Sequence, residues 1–207
     1  MVAAHLVVDY QNIHLTAHGL WMPGEPVHHA LIHPLHYAHQ VLAKRNLIRR
    51  LVCEQKSLQF EQAELASVTV YRGLPSNEHD RTAYRRSQAQ KSEWTRDRRC
   101  VVVYRPLKYY RRDDGGFDVK EKGIDVLIAL KLVTLAAQTP EPGLVILAAH
   151  DTDQEPALEM AVGLAGGRVE TTGWMDSKRL RVPGKALWHT QLGEEEFYRS
   201  IDRKDYT

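Results

Sequence analysis

Cysteine is nearly absent: the 207-residue chain holds only Cys53 and Cys100, with no CxxC spacing. That excludes a disulfide scaffold and a cysteine-built zinc site, and it makes a reducing cytoplasm the expected compartment. Long apolar runs are missing too. No stretch reaches the eighteen or so apolar residues of a membrane-spanning helix, so no membrane partner is expected. Nor is a signal peptide, because MVAAHLVVDY has no basic opening and its apolar stretch stops at Asp9 rather than at small cleavage-site residues. Internal repeats, low-complexity tracts and linker-like segments are also lacking, which leaves one domain for a chain of this length. With 43% hydrophobic and 26% charged residues, the composition is that of a globular protein, and disorder is not the default state.

Acidic residues are scarce in the middle of the chain, although the net charge is a bare +2. Eleven Lys or Arg residues (Arg81, Arg85, Arg86, Lys91, Arg96, Arg98, Arg99, Arg105, Lys108, Arg111, Arg112) face only Glu93 and Asp97 there. Tyr84, Tyr104, Tyr109 and Tyr110 are interleaved with them. Cations beside stackable rings suit a phosphate backbone and its bases. A solvated basic helix explains the same run equally well, and charge alone does not choose between the two.

Short β-branched runs alternate with helical periodicity. Strands are expected at 3–8, 65–74, 100–104, 144–149 and 168–172. Helices are expected at 34–54, opened by Pro34, at 79–95, at 122–137 and at 155–165. The run Asp113-Asp114-Gly115-Gly116 reads as a turn at the tip of a hairpin. Strands that are apolar throughout, alternating with helices, imply a three-layer α/β/α fold around a mostly parallel sheet.

In such sheets ligands bind outside the carboxyl ends of the strands. The first strand is followed by Asp9, Tyr10, Gln11 and Asn12, and the fourth by His150, Asp151, Thr152, Asp153 and Gln154. Asp125 lies two residues past Gly123, at the start of the most apolar helix. Carboxylates brought to one edge repel unless a cation neutralises them. Hard oxygen ligands suit Mg2+ or Mn2+, ions that polarise phosphoryl oxygens and acidify a bound water, which is phosphodiester-hydrolysis chemistry. Each acid alone has a plainer explanation: Asp151 or Asp153 as a helix cap, Asp125 as a first-turn acid favoured by the helix dipole. Convergence from distant positions is what favours the metal. The histidines at 28, 29, 33, 36 and 39 have zinc-like spacing. Pro34 interrupts them, however, and no Cys or Asp completes a set, so a solvated or packed segment is expected.

Three segments in order, VVDYQNIHL (7–15), KEKGIDVLIAL (120–130) and LAAHDTDQEPALEMA (147–161), resemble the NYN domain family of PIN-like, metal-dependent ribonucleases. The segment 173–188, with GW and RLRVPGKALW, is similar to an uncharacterised bacterial branch of that family. The resemblance implies a PIN-like, flavodoxin-like nuclease domain over 1–172, with an extension at 173–207 packed on the same domain. It also implies an acidic pocket holding one or two Mg2+ or Mn2+ ions on Asp9, Asp125, Asp151 and Asp153. Asn12 would bond the site or the scissile phosphate, and Thr152 would stand between the paired acids. The expected partner is single-stranded or structured RNA, its phosphates held by Arg81, Arg85, Arg86, Lys108, Arg111, Arg112 and Lys122. A homodimer is left open.

The chain departs from the family at three places. Lys131 stands where many relatives carry a further Asp, Ala149-His150 replaces Ser-Gly, and Gln154 replaces Phe. His150 is expected to fill space rather than to contact phosphate or water. Lys131 motivates the alternative of a non-catalytic RNA-binding module, its ammonium standing in for a cation. A phosphohydrolase of the haloacid dehalogenase type ranks last, because Asp9-Tyr10-Gln11 lacks the second acid of that chemistry.

Overall fold

The first strand, β1 (Val2–Asp9), already divides the molecule in two. Val2, Ala4, Leu6 and Val8 enter one buried cluster and Val7 enters another, as the two-residue period of a strand requires. A strand apolar on both faces needs a cover on both sides, and helices supply it. The computed structural model, which describes residues 1–206, has the three-layer α/β/α, flavodoxin-like arrangement.

Beside β1 the chain forms β2 (Ala63–Leu74), β3 (Cys100–Pro106), the hairpin strands β4 (Lys108–Arg111) and β5 (Phe117–Lys120), then β6 (Leu144–Ala148), β7 (Val169–Trp174) and β8 (His189–Leu192). Helices α1 (Tyr10–Trp21), α2 (Pro34–Gln55), α3 (Arg81–Trp94) and α6 (Glu194–Ser200) join the first cluster through Ile13, Tyr37, Trp94 and Phe197. Helices α4 (Ile124–Gln138) and α5 (Glu155–Ala165) join the second through Ile128, Leu132, Leu158 and Val162. The six-stranded sheet runs β3-β2-β1-β6-β7-β8 with every pairing parallel, while β4 and β5 form a separate antiparallel hairpin. The order reverses between β1 and β6, so the chain leaves those two strands toward opposite faces of the sheet, the place where ligands bind in folds of this kind. Among the described residues no helix is long and apolar enough to cross a membrane.

Two parts of the fold differ from expectation. Helix α1 follows β1 directly, burying Tyr10, Ile13, His14 and Ala17 at helical spacing. Its polar and histidine positions blur the apolar period that would have announced it. The segment 173–207 is also more than an appendage: it completes β7, adds β8 as the sheet's edge strand and places Phe197 in the core. Trp174 donates its indole N–H to the Ile13 carbonyl at 2.8 Å and meets Trp21 edge-on, so 172 marks no boundary. Thr207 lies outside the described residues. Of the five histidines in the 28–39 segment, His28, His29, His36 and His39 are exposed and His33 is half-buried, its ring stacked on His36 at 4.2 Å.

The amino half of the sheet is tied across by a buried ion pair. Arg45 of α2 donates from Nε (3.1 Å) and Nη2 (2.8 Å) to the two carboxylate oxygens of Glu170 in β7. Arg49 Nη2 also reaches Glu170 Oε1, at 3.5 Å and from a partly exposed position, so loss of Arg45 leaves the buried carboxylate poorly compensated, whereas replacing both partners of the close pair with apolar groups is far cheaper. Arg45→Met is therefore expected to lower stability by about 3 kcal/mol in urea unfolding, and Arg45→Met/Glu170→Leu to recover most of it; a double variant as unstable as the single one would contradict the account.

Candidate active site

Asp9 ends β1 and caps α1: its Oδ1 accepts the Asn12 backbone N–H at 3.2 Å. The side chain is only 6% exposed. Burial pushes its pKa up to about 7; the Asn12 N–H opposes the rise, and the charges of Asp125, Glu121 and Asp151 add to it. Asp125, in the first turn of α4, is also raised, first by burial and then by Asp151, with a smaller push from Asp153. The structure thus brings the expected acids, drawn from three separate stretches of chain, into one electrostatic field.

Glu121 is a fifth acid that the sequence did not single out. Burial raises its pKa, the Gly73 N–H bond opposes, Asp125 adds to the rise and Arg72 offsets part of it. Its Oε1 accepts the Gly73 backbone N–H at 2.7 Å. Gly73 is required for that approach, since a Cβ there would lie 2.4 Å from Glu121 Oε1 and 2.3 Å from Leu107 Cδ2. The only signal in the sequence was proximity, four residues before Asp125, and flanking lysines masked it.

The β6–α5 loop supplies the remaining acids. Asp151 Oδ1 accepts the Asp153 N–H at 3.0 Å and caps the short 3-10 turn Thr152–Gln154, so Asp151 and not Asp153 is the capping residue. Asn12 clamps this loop to the first turn of α1: its Oδ1 accepts the His150 backbone N–H at 2.8 Å. Gln154, 1% exposed, donates through Nε2 to the Asp125 carbonyl at 3.3 Å, and its Oε1 is buried without a partner. Among the described residues no three His, Cys, Asp or Glu side chains form a ready metal cage. What the acids share is mutual repulsion.

The expected basic residues lie on the elements that follow the carboxyl ends of β2 and β3. Arg81 and Arg85 are exposed and Arg86 half-buried on α3, while the exposed hairpin of β4 and β5 carries Lys108, Arg111 and Arg112. Arg112 is occupied by Asp114 (3.2 Å) and Asp118 (3.8 Å). Tyr109 Oη accepts the Ser76 N–H at 3.0 Å, and His79 meets Tyr109 and Phe117 in tilted ring contacts at 4.5 Å each, fixing the hairpin against the β2–α3 loop. Tyr110 is exposed, with the Lys122 ammonium 5.4 Å from its ring centre. Tyr104 differs: its hydroxyl donates to the Ser87 carbonyl and its ring is half-buried, so it offers no stacking face. Arg72, not expected, lies 4.5 Å over the Tyr10 ring and donates to Gln90 Oε1 at 2.7 Å.

Lys131 lies elsewhere. Six residues along a helix carry it roughly 9 Å from Asp125, and its charge acts on His5 in mid-strand. It brings no cation to the acids. A cavity of about 510 Å³ opens at the opposite, amino edge beside Arg45, Arg49 and Arg168, and contains none of the acidic set. Two of those arginines pair with Glu170 and the third with Glu141.

No family model matches the chain, and no curated protein matches it in sequence. Among solved structures, a protein of unknown function from Vibrio parahaemolyticus superposes with a TM-score of 0.56 at 18% identity, over 94% of each chain. That likeness shows the fold alone, a doubly wound α/β arrangement.

The raised pKa of Asp9 gives stability a pH dependence of definite sign. The folded chain keeps a proton up to about pH 7 that the unfolded chain releases near 3.8, so this contribution is complete below about 3.8 and lost as pH rises to about 7. Asp9→Asn preserves a capping acceptor and removes the titration. In EDTA, urea unfolding should show the variant gaining steadily on the wild type between those pH values; parallel pH profiles would rule this account out.

Proposed function

We propose that the protein is a metal-dependent ribonuclease that hydrolyses RNA phosphodiester bonds at the carboxyl edge of its sheet. The observation that carries the proposal is the buried carboxyl of Asp9, surrounded by Asp125, Glu121 and Asp151, all raising its pKa. Such repulsion is costly unless a cation relieves it. The resemblance to NYN ribonucleases supports the same reading, because its three segments (7–15, 120–130, 147–161) meet at this edge.

The donor set fits Mg2+ or Mn2+. Carboxylate oxygens are the hard ligands these ions take, and the unpartnered Gln154 Oε1 is a further buried oxygen beside Asp125. Asp9, Asp125, Asp151 and Asp153 would hold the ion, with Glu121 in the same field. When bound, it would polarise a phosphoryl oxygen and make a coordinated water acidic. The chain's own residues do the rest. Asn12 holds the two acid-bearing loops at a fixed separation through its bond to His150. Arg81, Arg85, Lys108 and Arg111, which form no ion pair among the described residues, hold flanking phosphates; Arg86, Lys122 and Thr152 extend that track. Tyr110 offers a ring to an unpaired base.

The test is cleavage of a single-stranded RNA oligonucleotide with Mn2+. Asp9→Asn and Asp125→Asn are each expected to slow it on the order of 100-fold or more, and EDTA to abolish it. Cleavage undiminished in both variants would remove the assignment. RNA binding without turnover in Mg2+ or Mn2+ would favour a non-catalytic RNA-binding module instead.

A further inference from the structure

Residues 175–188 join the parallel neighbours β7 and β8 without a crossover helix. Connections longer than about 12 residues with no helix or strand of their own are uncommon and are usually functional. This one is firmly anchored. Leu180 and Val182 are buried in the cluster under α4 and α5. Glu155 Oε1 accepts the Arg181 backbone N–H at 2.9 Å.

The main fastening is His150. Its Nδ1 lies 2.9 Å from Ser177 Oγ and 3.2 Å from the Lys178 carbonyl, and its Nε2 accepts the Trp174 N–H at 3.5 Å. Gly173 makes room for it, because a Cβ there would lie 2.3 Å from His150 Cε1. His150 therefore does more than fill space: it fixes the backbone of Ser177 and Lys178 against the loop that carries Asp151.

The outcome of this bracing is the placement of one cation. Lys178 is exposed, and its Nζ donates to Thr152 Oγ1 at 3.5 Å, between Asp151 and Asp153 in the sequence. Lys178 makes no ion pair among the described residues. An ammonium set on a hydroxyl beside acids, yet not neutralised by them, is free to meet an anion approaching those acids. We propose that Lys178, with Thr152, forms a phosphate subsite of the candidate active site, and that its ligand is a backbone phosphodiester of RNA. The proposal rests on the ribonuclease reading and names a contact supplied by the C-terminal segment.

Binding of a fluorescent single-stranded RNA oligonucleotide, followed by anisotropy in EDTA across a series of KCl concentrations, tests it without turnover. Lys178→Ala should weaken binding on the order of tenfold and reduce the slope of log K against log salt by about 0.7, the value for one single-strand phosphate contact. Lys178→Arg should keep both near wild type. Arg85→Ala is run in parallel and should also lower the slope. Wild-type binding that falls with Arg85→Ala but not with Lys178→Ala would overturn the subsite and leave RNA recognition standing. Absence of wild-type RNA binding would overturn both.

Discussion

A central strand that is apolar on both faces leaves its last residue no choice of surroundings. β1 packs against α1 on one side and α4 on the other, so the side chain that ends it emerges by the starts of those two helices and beside the β6 loop. In this chain that residue is an aspartate. Its carboxyl is buried, acts as the cap of α1, and lies within the field of three other acids. The remainder of the edge can be understood as accommodation to that charge: the Asn12 clamp, the Gly73 approach of Glu121 and the short turn capped by Asp151.

The acids at the strand ends were legible in the sequence because strand termini are local events. A β-branched run stopping at Asp9, and another followed by His150 and Asp151, place those residues without knowledge of distant contacts. Asp125 was legible for a similar reason, standing at the start of a strongly apolar helix. The sheet itself followed from the same runs, since strands without a polar face can lie only inside a parallel, two-sided arrangement.

What escaped the sequence depends on contacts between remote parts. Glu121 sits in a connection flanked by lysines, and its burial is decided by a glycine on β2. Helix α1 is half polar in composition, and its register is set by Tyr10, Ile13 and Ala17 meeting β1 and β2. β8 has only four residues, His189–Leu192, too short to declare a period, yet its pairing with β7 makes the C-terminal stretch part of the sheet. Lys131 shows the opposite case: an apparent substitution into the site by motif spacing, it is carried away from the site by the pitch of α4.

The double use of Asp9 has one further consequence. The carboxyl that stands among the acids also satisfies an amide at the start of α1 through Oδ1, so its orientation is tied to the first turn of that helix. The helix that Asp9 caps ends at Trp21, whose ring meets Trp174 edge-on and stacks on Phe197, so the residue that ends β1 opens the element on which the C-terminal segment packs.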